Sequence, residues 1–483
     1  MFCQLEFLRL CLPARIRQAL EELPESLHGT YERILQDNNK ANWKFAHRIF
    51  QCVAVASRPL LVEELVEFLA IDFDARPTPA SRADWRPEDP IGAILSTCSS
   101  MLAVVKADSS EFIQFSHFPV KEYLMSTRLA EGGDIISRFH VSMTPAHTLV
   151  AQVCLGILLY LDESITCDSL KNFPLVKYAV RHWVDHALFT GVSVNTQDGM
   201  KRLFDPRNSH LAVWVWIFDP DTPWRRSPTS AYHIDPRGSS LHYAALLGLH
   251  DLTTFLVVEC SQDVNAAGLA YNRTPLHAAS RGGHVDFARI LLEHGAEANS
   301  QDDDKWTPLH IASQGGHAEL AELLMEYGAD VNTQDNYKST PLRLAFDGGH
   351  VEFARVLIEH GADVNGRGYH QKTLLHLTSE GGQLKFARML IKHGADVDTQ
   401  DYSSSTPLHL ALKGGHLDLS QLLVEHGADL NVQDNDGLTP IHLALKGGDV
   451  EFARVLIKHG ANVNVQANNK STSWGPPPTR CHR

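Results

Sequence analysis

The sequence has few of the short motifs that carry out chemistry. Its eight cysteines are scattered and none forms a Cys-x-x-Cys pair, which argues against a zinc knuckle or a redox dithiol. The Gly-Lys dipeptide of a phosphate-binding loop occurs nowhere, and Gly-x-Ser-x-Gly and His-Glu-x-x-His are also missing. We therefore expect no catalytic residues, no metal site, no cofactor and no small-molecule substrate, and predict that the chain is not an enzyme.

Long apolar runs are missing as well. The most apolar stretch, Leu149–Leu161, is shorter than the roughly 20 residues of a membrane-spanning helix, and it predicts a buried helix instead. Near the N-terminus, Glu6 and Arg9 interrupt the apolar residues, so this segment is not a convincing signal peptide. We expect a cytoplasmic protein, with the nucleus as the alternative, and no membrane partner.

Basic residues are fewer than acidic ones. The 483 residues include 43 Lys and Arg against 57 Asp and Glu, a formal net charge of −14. Most of the excess lies between Arg237 and Lys470, which contain 29 acidic and 18 basic side chains. Phosphate backbones are bound by clustered Lys and Arg, so we do not expect a nucleic-acid partner. The hydrophobic content of 43% is typical of a folded globular chain, and the length allows two to four domains.

What the sequence does contain is a repeat with a period of 33 residues. Each copy opens with a Thr-Pro-Leu-His-like element, in which Thr caps a helix and Pro fits its first turn. A Gly-Gly pair ends this helix, a second amphipathic helix follows, and a further glycine ends that one. A fixed period of this length indicates a stacked solenoid. The copies begin at Thr274, Thr307, Thr340, Thr373, Thr406 and Thr439.

These elements resemble ankyrin repeats over about residues 237–466. About seven repeats are expected, the first degenerate and beginning at Ser239; we number them 1 to 7 in chain order. Two departures from the pattern, Arg343 in place of His and Leu374 in place of Pro, are expected to weaken local order without breaking the fold. The resemblance implies that the histidines recurring once per repeat hydrogen-bond to backbone, and their spacing is too wide for a shared metal.

The N-terminal half carries no repeat. Helical patterns followed by two short strands, around 102–105 and 112–116, predict the element order of a winged helix. Residues 1–162 resemble the winged-helix segment that follows NACHT-type nucleotide-binding modules in fungal ankyrin proteins, a segment also found beside GPI inositol-deacylase-like domains. The resemblance implies a helical tail of such a module at 1–40, a winged helix at 41–128, a helical connector at 129–230 and a disordered tail at 467–483.

The fold class expected is therefore mainly α, with a winged-helix region followed by an α-solenoid. Two functions remain open at this point. The first is a scaffold that binds a partner protein through hairpin tips and a concave face. The alternative is a regulatory fragment of a NACHT-type nucleotide-dependent signalling switch, in which the resemblance assigns nucleotide sensing to His117; a histidine packed in the wing is the other reading of that residue.

For the scaffold, the candidate binding residues fall into two sets. Aromatic or basic residues at the hairpin tips are favoured contact residues; they are Tyr271, Arg273, Trp306, Tyr337, Tyr369 and Tyr402. Residues just before the Gly-Gly pairs form a second set: Arg281, Gln314, Asp347, Glu380, Lys413 and Lys446. This second series is acidic in the middle and basic at its C-terminal end, and predicts a partner with a basic centre and an acidic end.

Overall fold

The computed structural model describes residues 27–37, 43–72, 80–98, 101–107, 110–133, 135–223, 238–268 and 271–467. By their contacts these residues form two compact units, divided between Asp263 and Val264. The tail expected of a NACHT-like module at 1–40 is described only from residue 27, and the C-terminal tail lies outside the described residues except for residue 467.

The first unit contains a winged helix. Its three-stranded antiparallel sheet has the order β1-β5-β4, with Leu60 opposite Ile113 and Leu102 opposite Phe115. The two wing strands confirm the expected hairpin. The elements up to this hairpin are α1 (Leu27–Asp37), α2 (Trp43–Val55), β1 (Leu60–Leu61), α3 (Val62–Leu69), β2 (Ile71–Asp72), β3 (Ala80–Ser81), α4 (Pro90–Cys98), β4 (Leu102–Ala107) and β5 (Ser110–Phe115).

A buried ion pair fixes the start of α3. The Glu64 carboxylate is 1% exposed and accepts a hydrogen bond from the Leu61 backbone N–H at 2.9 Å, which caps the helix. Arg58 binds the same carboxylate through Nη1 at 2.8 Å. Because burying a lone carboxylate is costly, this pairing ties the loop before β1 to the helix after it.

Helices continue from the wing to residue 217. Helix α7 is long and apolar enough to cross a membrane by length and composition alone. In this fold it is a core helix against which α2, α8 and α9 pack, as the sequence predicts. The helices are α5 (Phe118–Leu124), α6 (Thr127–Ala130), α7 (Met143–Tyr160), α8 (Val176–Ala187), α9 (Ser193–Phe204) and α10 (His210–Ile217).

The first repeat is irregular. Its first helix, α11 (Ser240–Leu247), is capped by the Ser239 hydroxyl, but its second segment ends in a π-helical turn, Phe255–Glu259. The Lys201 ammonium from α9 lies 5.1 Å from the Phe255 ring, so this repeat is packed into the first unit. The boundary between the two units therefore falls after the first repeat rather than at residue 237.

The second unit stacks helix pairs. Each first helix begins after its repeat's Thr, and at every junction except that of repeats 4 and 5 its buried Leu and Ala pack on the first helix of the next repeat. Glycine ends most of these helices in the left-handed conformation, as at Gly316 with φ 71°. The pairs are α12 (Pro275–Gly282) and α13 (Val285–Glu293), α14 (Pro308–Gly315) and α15 (Ala318–Glu326), α16 (Pro341–Asp347) and α17 (Val351–Glu359), α18 (Leu374–Gly381) and α19 (Leu384–Lys392), α20 (Pro407–Lys413) and α21 (Leu417–Glu425), α22 (Pro440–Gly447) and α23 (Val450–Lys458).

Candidate partner-binding surface

Four of the hairpins that join the repeats, those of repeats 3, 4, 6 and 7, are each held rigid by one aspartate. In repeat 4, Asp335 Oδ1 accepts hydrogen bonds from the backbone N–H groups of Tyr337 at 2.8 Å and Ser339 at 2.7 Å. Lys338, between them, has the left-handed φ of 59° that closes the turn. The same two backbone positions in repeats 3, 6 and 7 donate to Asp302, Asp401 and Asp434.

A ladder of backbone hydrogen bonds links successive hairpins. The Asn336 N–H of repeat 4 donates to the Asp304 carbonyl of repeat 3 at 3.1 Å. The Tyr402 N–H of repeat 6 donates to the His370 carbonyl of repeat 5 at 3.0 Å. These hydrogen bonds tie the tip of repeat 4 to that of repeat 3 and the tip of repeat 6 to that of repeat 5, which limits the backbone freedom of the linked tips.

The recurring histidines also join neighbouring repeats. His310 Nδ1 accepts the Thr307 N–H at 3.2 Å, so the ring proton is on Nε2, which donates to the Ser339 carbonyl at 3.2 Å. Burial lowers the pKa of His310 and favours this neutral form. The expected backbone role is confirmed here and for three more residues, His277, His376 and His409.

Four of the tip aromatics are exposed. Tyr337, Tyr369 and Tyr402 expose 71%, 74% and 77% of their surface, and Tyr271 exposes 56%. An exposed tyrosine on a fixed hairpin can enter an interface at low entropic cost, because its side chain has few rotatable bonds. The structure thus provides three strongly exposed rings in three successive repeats, 4, 5 and 6.

Two of the proposed tip residues are not at the tips. Trp306 stands directly before Thr307, is half-buried, and donates its indole Nε1–H to Asp335 Oδ2 of the next repeat at 3.1 Å. Arg273 holds the equivalent position in repeat 2 and binds Asp302 Oδ2 at 3.0 Å. Neither side chain projects freely from a tip, because each satisfies a buried carboxylate of the following hairpin; partner binding by either residue stays a prediction.

All six residues before the Gly-Gly pairs are exposed, but three of them are ion-paired within the array. Asp347 binds Arg343 Nε at 3.0 Å, Glu380 binds Lys372 at 2.6 Å, and Lys413 binds Asp434 at 3.1 Å. The expected acidic centre is therefore largely neutralised by basic neighbours. The other three, Arg281, Gln314 and Lys446, are also on the surface.

A cleft with a volume of about 440 Å³ opens between repeats 4 and 5. Its walls carry two exposed tyrosines and four basic side chains, and two leucines lie at its base. Both departures from the repeat pattern, Arg343 and Leu374, line it, and the structure shows that they sit at one junction rather than in separate places. The side chains are Tyr337, Lys338, Arg343, Arg367, Tyr369, Lys372, Leu374 and Leu377.

In the first unit, His117 lies exposed at the start of the short helix α5, directly after the wing strand β5. It is not packed in the wing. Its role in nucleotide sensing stays a prediction, because among the described residues no side chain outside the wing forms a site together with His117.

The first unit also has a buried histidine that the sequence did not single out. His186 is fully buried, with Nδ1 at 2.9 Å from His147 Nδ1 and Nε2 at 2.8 Å from the Tyr178 hydroxyl. Burial lowers the pKa of His186 to about 4. The three residues come from α7 and α8 at irregular spacing, so only the packing of these helices brings them together.

Comparisons with known proteins agree with this architecture. Residues 31–138 match the winged helix domain of GPI inositol-deacylase, and residues 241–335, 333–401 and 401–467 match ankyrin repeats. Over 301 residues the chain is 31% identical to the "Azaphilone pigments biosynthesis cluster protein L" of Monascus ruber, covering 58% of this chain and 61% of that protein. The chain thus spans about three fifths of this curated relative. Residues 241–467 are therefore ankyrin repeats, and they are preceded at residues 31–138 by a winged-helix domain of the GPI inositol-deacylase type.

Proposed function

We propose that the array binds a partner protein through the row of hairpin tips in repeats 4 to 6. Ankyrin repeats are protein-interaction modules, and the array is a non-catalytic part of the chain. The observation that carries this proposal is the strong exposure of Tyr337, Tyr369 and Tyr402 at the hairpin tips of three successive repeats. Such aromatic side chains are the residue type that most often dominates interface energies.

Replacing the three tip tyrosines tests this proposal. A partner would be identified by pull-down with the full chain and its affinity then measured with purified proteins. We expect the triple variant Tyr337→Ala, Tyr369→Ala, Tyr402→Ala to raise the Kd at least about 30-fold, which corresponds to about 2 kcal/mol.

Tyr327→Ala provides the matched control. This tyrosine is also exposed but ends helix α15, away from the hairpins, and its loss should leave the Kd unchanged. If the triple variant binds as tightly as the unaltered chain while its circular dichroism is unchanged, the tips are not the binding surface.

A second candidate function is regulation of a nucleotide-dependent switch, which the winged-helix match alone favours. We propose that any nucleotide contact from this chain is confined to His117 and that the chain itself is not an enzyme. A cytoplasmic location, which we also propose, is consistent with both functions. Titration of ADP into the chain and into its His117→Ala variant separates them, since only the switch reading expects a difference.

A further inference from the structure

The junction of repeats 4 and 5 lacks the ties found at the other junctions of the second unit. Where the other repeats carry His, Arg343 binds Asp347 instead, and no side chain of the described residues donates a hydrogen bond to the Lys372 carbonyl. The hairpin ladder is also interrupted, because among the described residues no hydrogen bond joins Tyr369 to the hairpin of repeat 4. The first helices, which pack closely at the neighbouring junctions, do not do so here.

A bulky side chain accompanies this opening. Phe346 stands where repeats 2, 3 and 5 have Ser280, Ser313 and Ser379, and it packs edge to face on Phe386 of α19 at 5.2 Å. The two repeats remain joined at the far end of the hairpins, where the Asn332 side chain bridges Gly361 and Asp363. The cleft is thus a feature of an intact stack.

The hairpin beside the cleft has no aspartate, although the surrounding groups are placed to bind a carboxylate. Repeats 3, 4, 6 and 7 have Asp302, Asp335, Asp401 and Asp434 at the start of the hairpin, and repeat 5 has Gly368 there. A Cβ added to Gly368 would lie 3.8 Å from Arg343 Nη1. The guanidinium therefore faces the position at which the other repeats place their aspartate.

Donors for a carboxylate are already in place. The N–H groups of His370 and Lys372 occupy the two backbone positions that bind the aspartate in the other hairpins; the Lys372 N–H donates to the Tyr369 carbonyl at 3.3 Å, whereas the His370 N–H has no acceptor among the described residues. Arg343 uses Nε for Asp347, which leaves its Nη groups for a second acceptor. Lys338 has no side-chain partner among the described residues and lines the same cleft.

We propose that this cleft binds an acidic segment of the partner protein, with one Asp or Glu carboxylate taking the place of the hairpin aspartate beside Arg343. This inference rests on the proposed function and specifies its chemistry. Leu374 and Leu377 lie beneath the basic rim, and Tyr337 and Tyr369 flank it, so an aliphatic or aromatic residue next to the acidic one completes the fit. A planar guanidinium and the neighbouring His370 N–H recognise a carboxylate by geometry as well as by charge.

Asp363 also lines the cleft and will repel an acidic ligand. It faces four basic side chains, two of which are held in exposed ion pairs that contribute little and exchange readily. Positive charge therefore prevails locally, in an array that is acidic as a whole. This local reversal of charge supports an acidic ligand rather than the basic-centred partner that the sequence suggests.

The test is to supply the missing carboxylate from the chain itself. A random 12-residue peptide library would be panned against the full chain, and the best peptide measured by fluorescence anisotropy together with its Glu/Asp→Gln/Asn version. Gly368→Asp should raise the Kd of the acidic peptide at least tenfold, because the new side chain occupies the site. Gly368 has φ −92° and ψ −152°, an extended conformation open to aspartate.

Two further variants make the result specific. Gly368→Ala adds a methyl group without charge and should leave the Kd within about twofold, since its Cβ would make only ordinary contacts. Arg343→His removes the guanidinium, restores the residue found in the other repeats, and should weaken the peptide at least tenfold while raising the Tm. A Tm that rises without loss of peptide binding would show that the junction is only a structural irregularity.

The outcome also separates this inference from the proposed function. If panning selects no acidic peptides, or if Gly368→Asp leaves their Kd unchanged, the cleft is not an acidic-segment site, even where the tyrosine variants abolish partner binding. If 10 mM inorganic phosphate displaces the peptide completely and the Gln/Asn peptide binds equally well, the cleft takes small anions and the proposal is also wrong.

Discussion

At the scale of single residues, the hairpins show how much backbone strain the array tolerates. The residue two places before each capping Thr is left-handed in every hairpin of the second unit; it is Gly437 in repeat 7 but Asn272, Lys305, Lys338, Gln371 and Ser404 elsewhere. Non-glycine residues pay roughly 1–2 kcal/mol for this conformation. In repeats 3, 4, 6 and 7 the aspartate that binds the flanking N–H groups holds this conformation in place.

Relieving this strain at one position should stabilise the protein. We expect Lys305→Gly, at φ 61° in repeat 3, to raise the free energy of unfolding by about 0.5–1 kcal/mol. The gain is smaller than the strain itself because glycine also increases the entropy of the unfolded chain. Urea denaturation measures it, with Lys305→Ala as a control that keeps the strain. Equal midpoints for the glycine and alanine variants would contradict the argument.

At the scale of elements, much of the array could be predicted from local sequence. The capping Thr, the Gly-Gly pair and the apolar spacing each act within a few residues, so the helix pairs appear where the pattern places them. The wing hairpin was equally clear. The pattern does not predict which residue of another repeat a side chain contacts. Trp306 and Arg273 are predicted to be free at the tips because their acceptors, Asp335 and Asp302, lie 29 residues further along the chain.

The cleft is a second feature that depends on contacts between repeats, which the sequence pattern does not predict. Arg343 and Leu374 were visible as departures from the repeat, but they are 31 residues apart, and only stacking brings them to one junction. The third departure, Gly368, was not singled out because its meaning depends on an aspartate that binds backbone in the other hairpins. A comparison of the hairpins position by position would have revealed it.

The interrupted ladder gives an element-scale prediction. The Tyr369 amide should exchange its hydrogen faster than the equivalent Asn336 and Tyr402 amides, because those two donate to the preceding hairpin and the Tyr369 amide has no such acceptor among the described residues. Amide-resolved hydrogen exchange at pH 7 measures this difference. The Asp303 and Asn435 amides, which also donate to a neighbouring hairpin, serve as internal controls. Equal protection of Tyr369 would show that the ladder is complete in solution.

At the scale of the whole molecule, the buried histidines connect stability to pH. In the array, burial lowers the pKa of His310, His376 and His409, and Nδ1 of each accepts a backbone N–H that a protonated ring would repel. In the first unit the pKa of His186 falls to about 4 for the same main reason, burial. Both units therefore depend on neutral imidazole rings.

The direction of the pH effect follows from these shifts. A histidine in the unfolded chain has a pKa of about 6.5, above its value in the folded protein, so the unfolded state binds protons first as the pH falls. Stability should be level above about pH 7 and decline below pH 6.5 toward 4, by at most about 1.4 kcal/mol per pH unit for each such histidine. Urea midpoints at pH 7.5, 6.5 and 5.5 measure the decline before most carboxylates titrate.

His376→Gln isolates one contribution to this slope. The amide keeps hydrogen-bonding capacity near Thr373 and the Ser405 carbonyl but cannot be protonated, so the variant should be less stable at pH 7.5 and lose less stability on acidification. The exposed His360→Gln provides the control and should leave the slope unchanged. A urea midpoint that stays constant or rises from pH 7.5 to 5.5 would mean that the buried rings do not remain neutral, and the tautomer assigned to them from Nδ1 acceptance would be wrong.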